Sequence, residues 1–421
     1  MKSKITLVSA LCLVVLIAAL PIIGCGPAQP STEGKELKVG FMTPSSGVAA
    51  EKGAPMGHGN LDAIEYINTE LGGVNGYKIK AMWYDSAYDT AKIVPITKKL
   101  MDDGALLFLT ASSKEMTDAM ETANRASFPG IATFTAPNLY RPPEHIYGQM
   151  PDYGDAWAAF ANYYMKNIWK GPGKPKMALH LLNNSTGAGA GNAARALADK
   201  LGIEIIATKE HTATTTSEIE SLTAIKNLNP DVLFISSTPA PTAIIIRNAR
   251  DLGIFPKIPI ACAQASFTKA LIDIAGANVV EGVYGVFPTV MWDENVPGLA
   301  KAAEYAKKNN PKDYGNADYL TSWAASLIVR EILKLTLQNS SYEVLAKGDA
   351  SSWKAIETGG IQKLKDFKVE GLHGSVSYTT GDNRLDKYMR LYTVKGGKIT
   401  PVTEWVDAPL IKYEDFSWWK K

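Results

Sequence analysis

The sequence predicts an α/β protein made of two successive blocks of parallel sheet, each flanked by helices. Three observations carry this reading. Short apolar runs alternate with stretches whose apolar residues recur every three or four positions. The alternation runs through one block and restarts near Tyr153. The chain has 421 residues, more than one hydrophobic core usually supports.

The N-terminus differs from the rest. Lys2 and Lys4 come without an acid, and residues 5–23 are almost wholly apolar. A basic start and an apolar run ending in small residues have the anatomy of a secretory signal. Ile22-Ile23-Gly24-Cys25 resembles a bacterial lipobox. That resemblance implies a signal peptide over 1–24, lipid on Cys25, and a flexible linker over 25–36. The run is also long enough to be a retained anchor. Pro21 and Gly24, beside a cysteine, favour cleavage. Either way the body lies outside the cytoplasm, at the periplasmic or extracellular face of a membrane.

Charge and cysteine content narrow the function classes. The chain has 44 basic and 42 acidic residues, and losing Lys2 and Lys4 balances them. A neutral chain without basic runs gives no electrostatic case for nucleic-acid binding. With Cys12 removed and Cys25 lipidated, only Cys262 remains, so no intramolecular disulfide can form. Burial must hold the fold together.

The first block opens with a strand at 38–42 and the turn cluster Thr43-Pro44-Ser45-Ser46-Gly47. Leu61, Ile64, Ile67 and Leu71 mark a helix over 56–71, stopped by Gly72-Gly73. Strands follow at 77–84, 105–109 and 131–134, with helices at 90–101 and 114–126 between them. The second block starts with a helix over 153–169. It continues with strands at 177–182, 203–207, 232–235, 258–261 and 279–283. Helices at 192–201, 217–228, 240–252 and 267–274 separate these strands. From Pro297 the character changes to helices at 299–308 and 318–335. A small β-rich tail begins at Phe367.

Several motifs occur along this chain in a recognisable order. They are Lys38-Val39-Gly40 with Ser45-Ser46-Gly47, and Ile67-Asn68 with Gly72-Gly73-Val74-Asn75-Gly76. Met101-Asp102-Asp103-Gly104 and Asn229-Pro230-Asp231-Val232 follow. Gly371-Leu372-His373-Gly374-Ser375-Val376-Ser377-Tyr378 then precedes Gly381-Asp382. On these residues the chain resembles the branched-chain amino-acid binding proteins of ABC transporters, which are type I periplasmic binding proteins. The resemblance runs from about Leu37 to about Val402. It implies two doubly wound parallel-sheet lobes joined by three crossovers, closing on a solute by a hinge. Lobe 1 would comprise 37–152 and 289–390, and lobe 2 153–288 and 391–421. It implies partnership with ABC permease subunits and a small-molecule ligand bearing a carboxylate.

Ligands in parallel α/β sheets sit beyond the carboxyl ends of the strands. Thr110-Ala111-Ser112-Ser113 follows a strand and opens a helix, where free backbone N–H groups suit an anion. Spacing alone also fits a capping box between Ser112 and Glu115. The resemblance assigns the carboxylate to Ser112, with Ser113 beside it. It assigns Thr135 and Ala136 to ligand contact as well. Lys52 stands on a loop where relatives have an aromatic residue. If turned inward, it would set a positive charge over an anionic solute.

In the second block the glycine-rich stretch 183–192 reads as a loop. Ala188 stands where relatives place an aromatic ring, and Thr238 marks another such contact. The glycine spacing is not that of a dinucleotide site. Gln264 occupies the place of an acid that pairs with an α-ammonium in amino-acid-binding relatives. A neutral side chain there points to a solute without a free ammonium, since an uncompensated buried charge is costly. The family's disulfide positions appear as Tyr88 and Ala111.

An enzyme is disfavoured. His58, His145, His180, His211 and His373 lie far apart in the chain without metal-ligand spacing, and most read as surface or turn residues. There is no G-x-S-x-G elbow. No metal or cofactor is expected. Cys262 reads as a small core residue. Trp405, Trp418 and Trp419 read either as contacts to a partner or membrane surface or as a disordered tail. A ligand-sensing receptor module of the same fold, signalling through a separate protein, is the alternative to transport.

Overall fold

The computed structural model describes residues 32–419. The signal segment 1–24, Cys25 and most of the linker lie outside the described residues. Among the described residues, no helix is long and apolar enough to cross a membrane.

The first sheet is built from βα units. Its elements are β1 (Glu36–Thr43), α1 (Ala50–Thr69), β2 (Lys78–Asp85), α2 (Thr90–Asp102), β3 (Phe108–Thr110), α3 (Ser113–Ala126), β4 (Gly130–Ala132) and β5 (Ile146–Gly148). The strands pair in parallel in the order β2-β1-β3-β4-β5. The chain enters the second sheet through α4 (Tyr153–Tyr163), whose last turn widens to a π turn at Tyr164–Ile168. There follow β6 (Lys176–Leu182), α5 (Ser185–Leu201), β7 (Glu204–His211), α6 (Ile219–Asn227), β8 (Val232–Ser236), α7 (Pro239–Asp251) and β9 (Ile260–Cys262). The short helices α8 (Lys269–Ala275) and α9 (Ala277–Val280) precede β10 (Tyr284–Phe287).

The chain then returns to the first sheet with α10 (Pro297–Asn309) and α11 (Ala317–Asn339), and a small hairpin pairs β11 (Phe367–Lys368) with β12 (Ser375–Val376). Finally β13 (Tyr388–Lys395) joins the second sheet antiparallel to β10. It is flanked by β14 (Lys398–Pro401) and β15 (Val406–Asp407). The second sheet therefore runs β14-β13-β10-β9-β8-β6-β7. Helices cover both faces of each sheet, as in a doubly wound fold. Apolar residues of α1, α10 and α11 cover one face of the first sheet, and residues of α2 and α3 the other. Around the second sheet, α4 and α5 lie on one face and α6 to α9 on the other.

The chain passes between the sheets three times. The third passage falls ahead of Tyr388, because Tyr388 and Met389 already pair with β15. Two of the passages meet in buried ion pairs. Arg384 Nη1 lies 2.9 Å from Asp155 Oδ1, and its Nη2 lies 2.9 Å from Asp382 Oδ2. Arg141 Nη2 lies 2.9 Å from Asp152 Oδ2 and its Nη1 donates to the Ile411 carbonyl at 2.7 Å. Such pairs hold only while every partner is present.

Several expectations are corrected. The glycine-rich stretch is helix, not loop: α5 begins at Ser185, with the Asn184 side chain accepting from the Thr186 amide. Glycine serves close packing there, since a Cβ on Gly189 would stand 2.8 Å from Tyr153 Cβ on α4. The strand expected at 279–283 begins at Tyr284, because residues 277–280 form α9. His180, His211 and His373 are buried rather than surface residues. His180 and His211 approach through their Nδ1 atoms at 2.9 Å, brought together by the parallel pairing of β6 and β7. The final tryptophans pack rather than dangle: Trp419 stacks on buried Tyr413 at 4.6 Å, and Arg195 lies 4.4 Å over Trp418. Cys262 is fully buried and free.

Candidate ligand cleft

Strand order locates the site. In the first sheet the order reverses between β1 and β3, and in the second between β6 and β8. Open α/β sheets bind ligands at such switch points, beyond the strand ends. Here α3 starts just after β3, and α5 just after β6.

The two helix starts meet. Ser113 Oγ and Ser185 Oγ lie 3.1 Å apart. The Ser113 and Thr186 side chains stand toward the Tyr153 hydroxyl as donors. Burial pushes the Tyr153 hydroxyl up to about 12, so it keeps its proton and can donate. Each helix start also offers first-turn amides without helical acceptors and a partial positive charge. Around them lies a small apolar cluster of Met56, Ala111, Phe134, Ala136, Met150, Tyr153 and Ala265. A surface with convergent hydroxyls, two helix N-termini and apolar walls suits a small anion with an apolar body.

Ser112 is the N-cap of α3 and forms a full capping box with Glu115. Its Oγ donates to Glu115 Oε2 at 3.1 Å and its amide donates to the same oxygen at 3.0 Å. Ser86 Oγ donates to Glu115 Oε1 at 2.5 Å. Burial pushes the Glu115 carboxyl up to about 7, against the pull of the Ser86 and Ser112 hydrogen bonds. Ser112 thus supports the helix start, while Ser113 reaches across to the second lobe.

The other expected residues are distributed unevenly. Lys52 is in the first turn of α1, not on a loop. Its Nζ turns inward to lie 4.9 Å from the Phe134 ring centre, and it is bound to Asp318 Oδ1 at 2.8 Å. Its charge is therefore balanced within the protein. Ala136 joins the apolar cluster. Thr135 lies beside it, but its hydroxyl turns to Tyr140 Oη at 3.4 Å and the Met150 carbonyl at 3.5 Å. Gln264 is fully buried and donates through Nε2 to the Pro151 carbonyl at 3.0 Å. Thr238, at the N-cap of α7, makes no side-chain capping bond, and Ala188 is exposed on α5. Ser113, Ala136 and Lys52 therefore gather at the cluster, and Ala188 does not.

Tyr153, Ser185 and Thr186 escaped the sequence reading. Asn184-Ser185-Thr186 carried an N-cap signal, but the glycines after it read as loop. Tyr153 looked like an ordinary helical aromatic.

The sequence profile of the periplasmic binding protein family matches residues 36–398. The chain belongs to that family. The fold of this binding protein is similar to that of a branched-chain amino-acid ABC transporter protein from Thermus thermophilus, solved with bound valine. The TM-score is 0.77 at 19% identity, covering 90% of this chain and 98% of the other. A fatty-acid ABC transporter substrate-binding protein from Thermomonospora curvata gives a TM-score of 0.73 at 20% identity, covering 91% and 94%. At such identities the likeness concerns fold. In sequence, the binding protein is 33% identical over 110 residues to a leucine-, isoleucine-, valine-, threonine- and alanine-binding protein of Pseudomonas aeruginosa. That stretch covers 25% of this chain and 29% of the relative's length.

Proposed function

We propose that this periplasmic binding protein captures a small carboxylate-bearing solute outside the cytoplasm and delivers it to the permease subunits of an ABC importer. The observation that carries the proposal is the meeting of the α3 and α5 starts through Ser113 and Ser185, with the protonated Tyr153 hydroxyl beside them. An anionic group at that point collects hydroxyl donors and two helix N-termini from both lobes at once. It thereby favours the closed state over the open one. The relatives' names fit the same chemistry, since amino acids and fatty acids both bear a carboxylate. The lobes would be 37–152 with 289–387, and 153–288 with 388–421, since β13 belongs to the second sheet. The protein would bind without turnover and stay at the membrane through lipid on Cys25.

Native mass spectrometry of the purified protein should find one co-purified small acid, and adding it back should raise the melting temperature. Scattering should show the particle contract on binding. Turnover of the bound molecule, or a ligand without any acidic group, would overturn the reading. Cys25→Ser should move the protein from the membrane to the soluble fraction, and an unchanged distribution would remove the anchor.

A further inference from the structure

Each of the three passages between the sheets contributes a buried polar residue to one cluster. Gln149 follows β5 directly, Thr289 comes shortly after β10, and Asp386 shortly before β13. His373 ties them together. Its Nδ1 lies 2.8 Å from Asp386 Oδ2, and its Nε2 lies 3.3 Å from Gln149 Nε2. Its backbone pairs with Thr289 in an isolated antiparallel bridge. All four residues are buried. The cluster is incompletely paired. The Gln149 amide nitrogen also donates to the Thr321 carbonyl at 2.9 Å, which sets the orientation of the amide. Gln149 Oε1 and Thr289 Oγ1 have no hydrogen-bond partner among the described residues. A buried polar atom left unpaired gives up hydration and gains no bond.

Position decides what that cost does. An unpaired atom inside one lobe, such as Thr242 Oγ1 on α7, keeps its surroundings when the lobes rotate. Its cost is the same in both states and cancels. An atom on a passage sits where a hinge absorbs the rotation, so its surroundings change. The lobes touch here through Ser113 and Ser185, so the unpaired atoms of Gln149 and Thr289 burden the closed state.

We infer that Gln149 and Thr289 form a built-in bias against closure: their unpaired atoms hold the protein without solute toward the open state until solute contacts outweigh them. The inference rests on the lobe closure proposed above. It concerns the passages and not the cleft, so the two residues set affinity without touching solute.

A pair of cysteines reports closure without any solute. Ser113→Cys with Ser185→Cys, in Cys25→Ser protein, puts two thiols where the hydroxyls stand 3.1 Å apart. They can bond only when the lobes meet. In a glutathione buffer the ratio of disulfide to dithiol follows the closed fraction. Adding Thr289→Val or Thr289→Ala should raise that ratio about fivefold or more, whereas Thr289→Ser, which keeps the hydroxyl, should leave it unchanged. Thr242→Val should raise stability toward urea without moving the ratio. An unchanged or lower ratio in the Thr289→Val and Thr289→Ala proteins overturns the inference and leaves closure standing. So does an equal rise in Thr242→Val or Thr289→Ser. If no disulfide forms in any of these folded proteins, closure at the two serines falls together with the inference.

Discussion

The Ser113 and Ser185 hydroxyls lie 3.1 Å apart, although one opens a helix of the first sheet and the other a helix of the second. That contact ties the two helix starts together at the cleft. Ser113→Ala or Ser185→Ala should each weaken solute binding by about tenfold, the scale of one lost charge-assisted hydrogen bond. Calorimetry checks this alongside thermal melting of the unliganded protein. Full affinity in both variants would remove the anion grip from this position.

Glu115 links stability to pH. Its carboxyl rises from 4.5 to about 7, first because it is buried. Between those pH values the folded chain holds a proton that the unfolded chain has released. The contribution of Glu115 to stability is therefore full below about pH 4.5 and falls as pH rises to 7. Glu115→Gln keeps the shape and can still cap the helix. Relative to wild type, the variant should gain stability from pH 5 to pH 8, by about 3 kcal/mol at most. Urea unfolding at the two pH values measures it, and a pH-independent difference would contradict the assignment.

His180 acts in the opposite sense. Burial, with His211 adding to it, lowers its imidazole from 6.5 to about 4. The unfolded chain then binds a proton that the folded chain refuses. The stability present above pH 6.5 should drain away as pH falls toward 4. His180→Gln should flatten the decline between pH 6.5 and pH 4.5 in denaturation experiments. His211, also lowered by burial, should act the same way.

Arg384 joins the start of α4 to the strand-bound end of the chain through Asp155 and Asp382. Arg384→Met leaves both carboxylates buried without their main partner. It should cost about 3–5 kcal/mol, as for other broken buried pairs. Adding Asp155→Leu should recover part of that loss, whereas additive losses would mean the pair is not coupled.

How much was legible follows from distance along the chain. The alternation of strands and helices, and the capping box between Ser112 and Glu115, repeat at spacings of two to four residues. Backbone periodicity and local hydrogen bonds write these directly into the order of residues. The near-even charge, 44 basic against 42 acidic residues, and the low cysteine count are likewise properties of the sequence alone. Lys52 with Asp318, His180 with His211, and Ser113 with Ser185 are pairs 266, 31 and 72 positions apart. Each exists only because sheet order and the passages between sheets bring distant strand ends and helix starts together. The sequence determined which elements form and which residues stand at their ends. Tertiary structure decided which ends meet, because packing is set by sheet order and not by proximity along the chain.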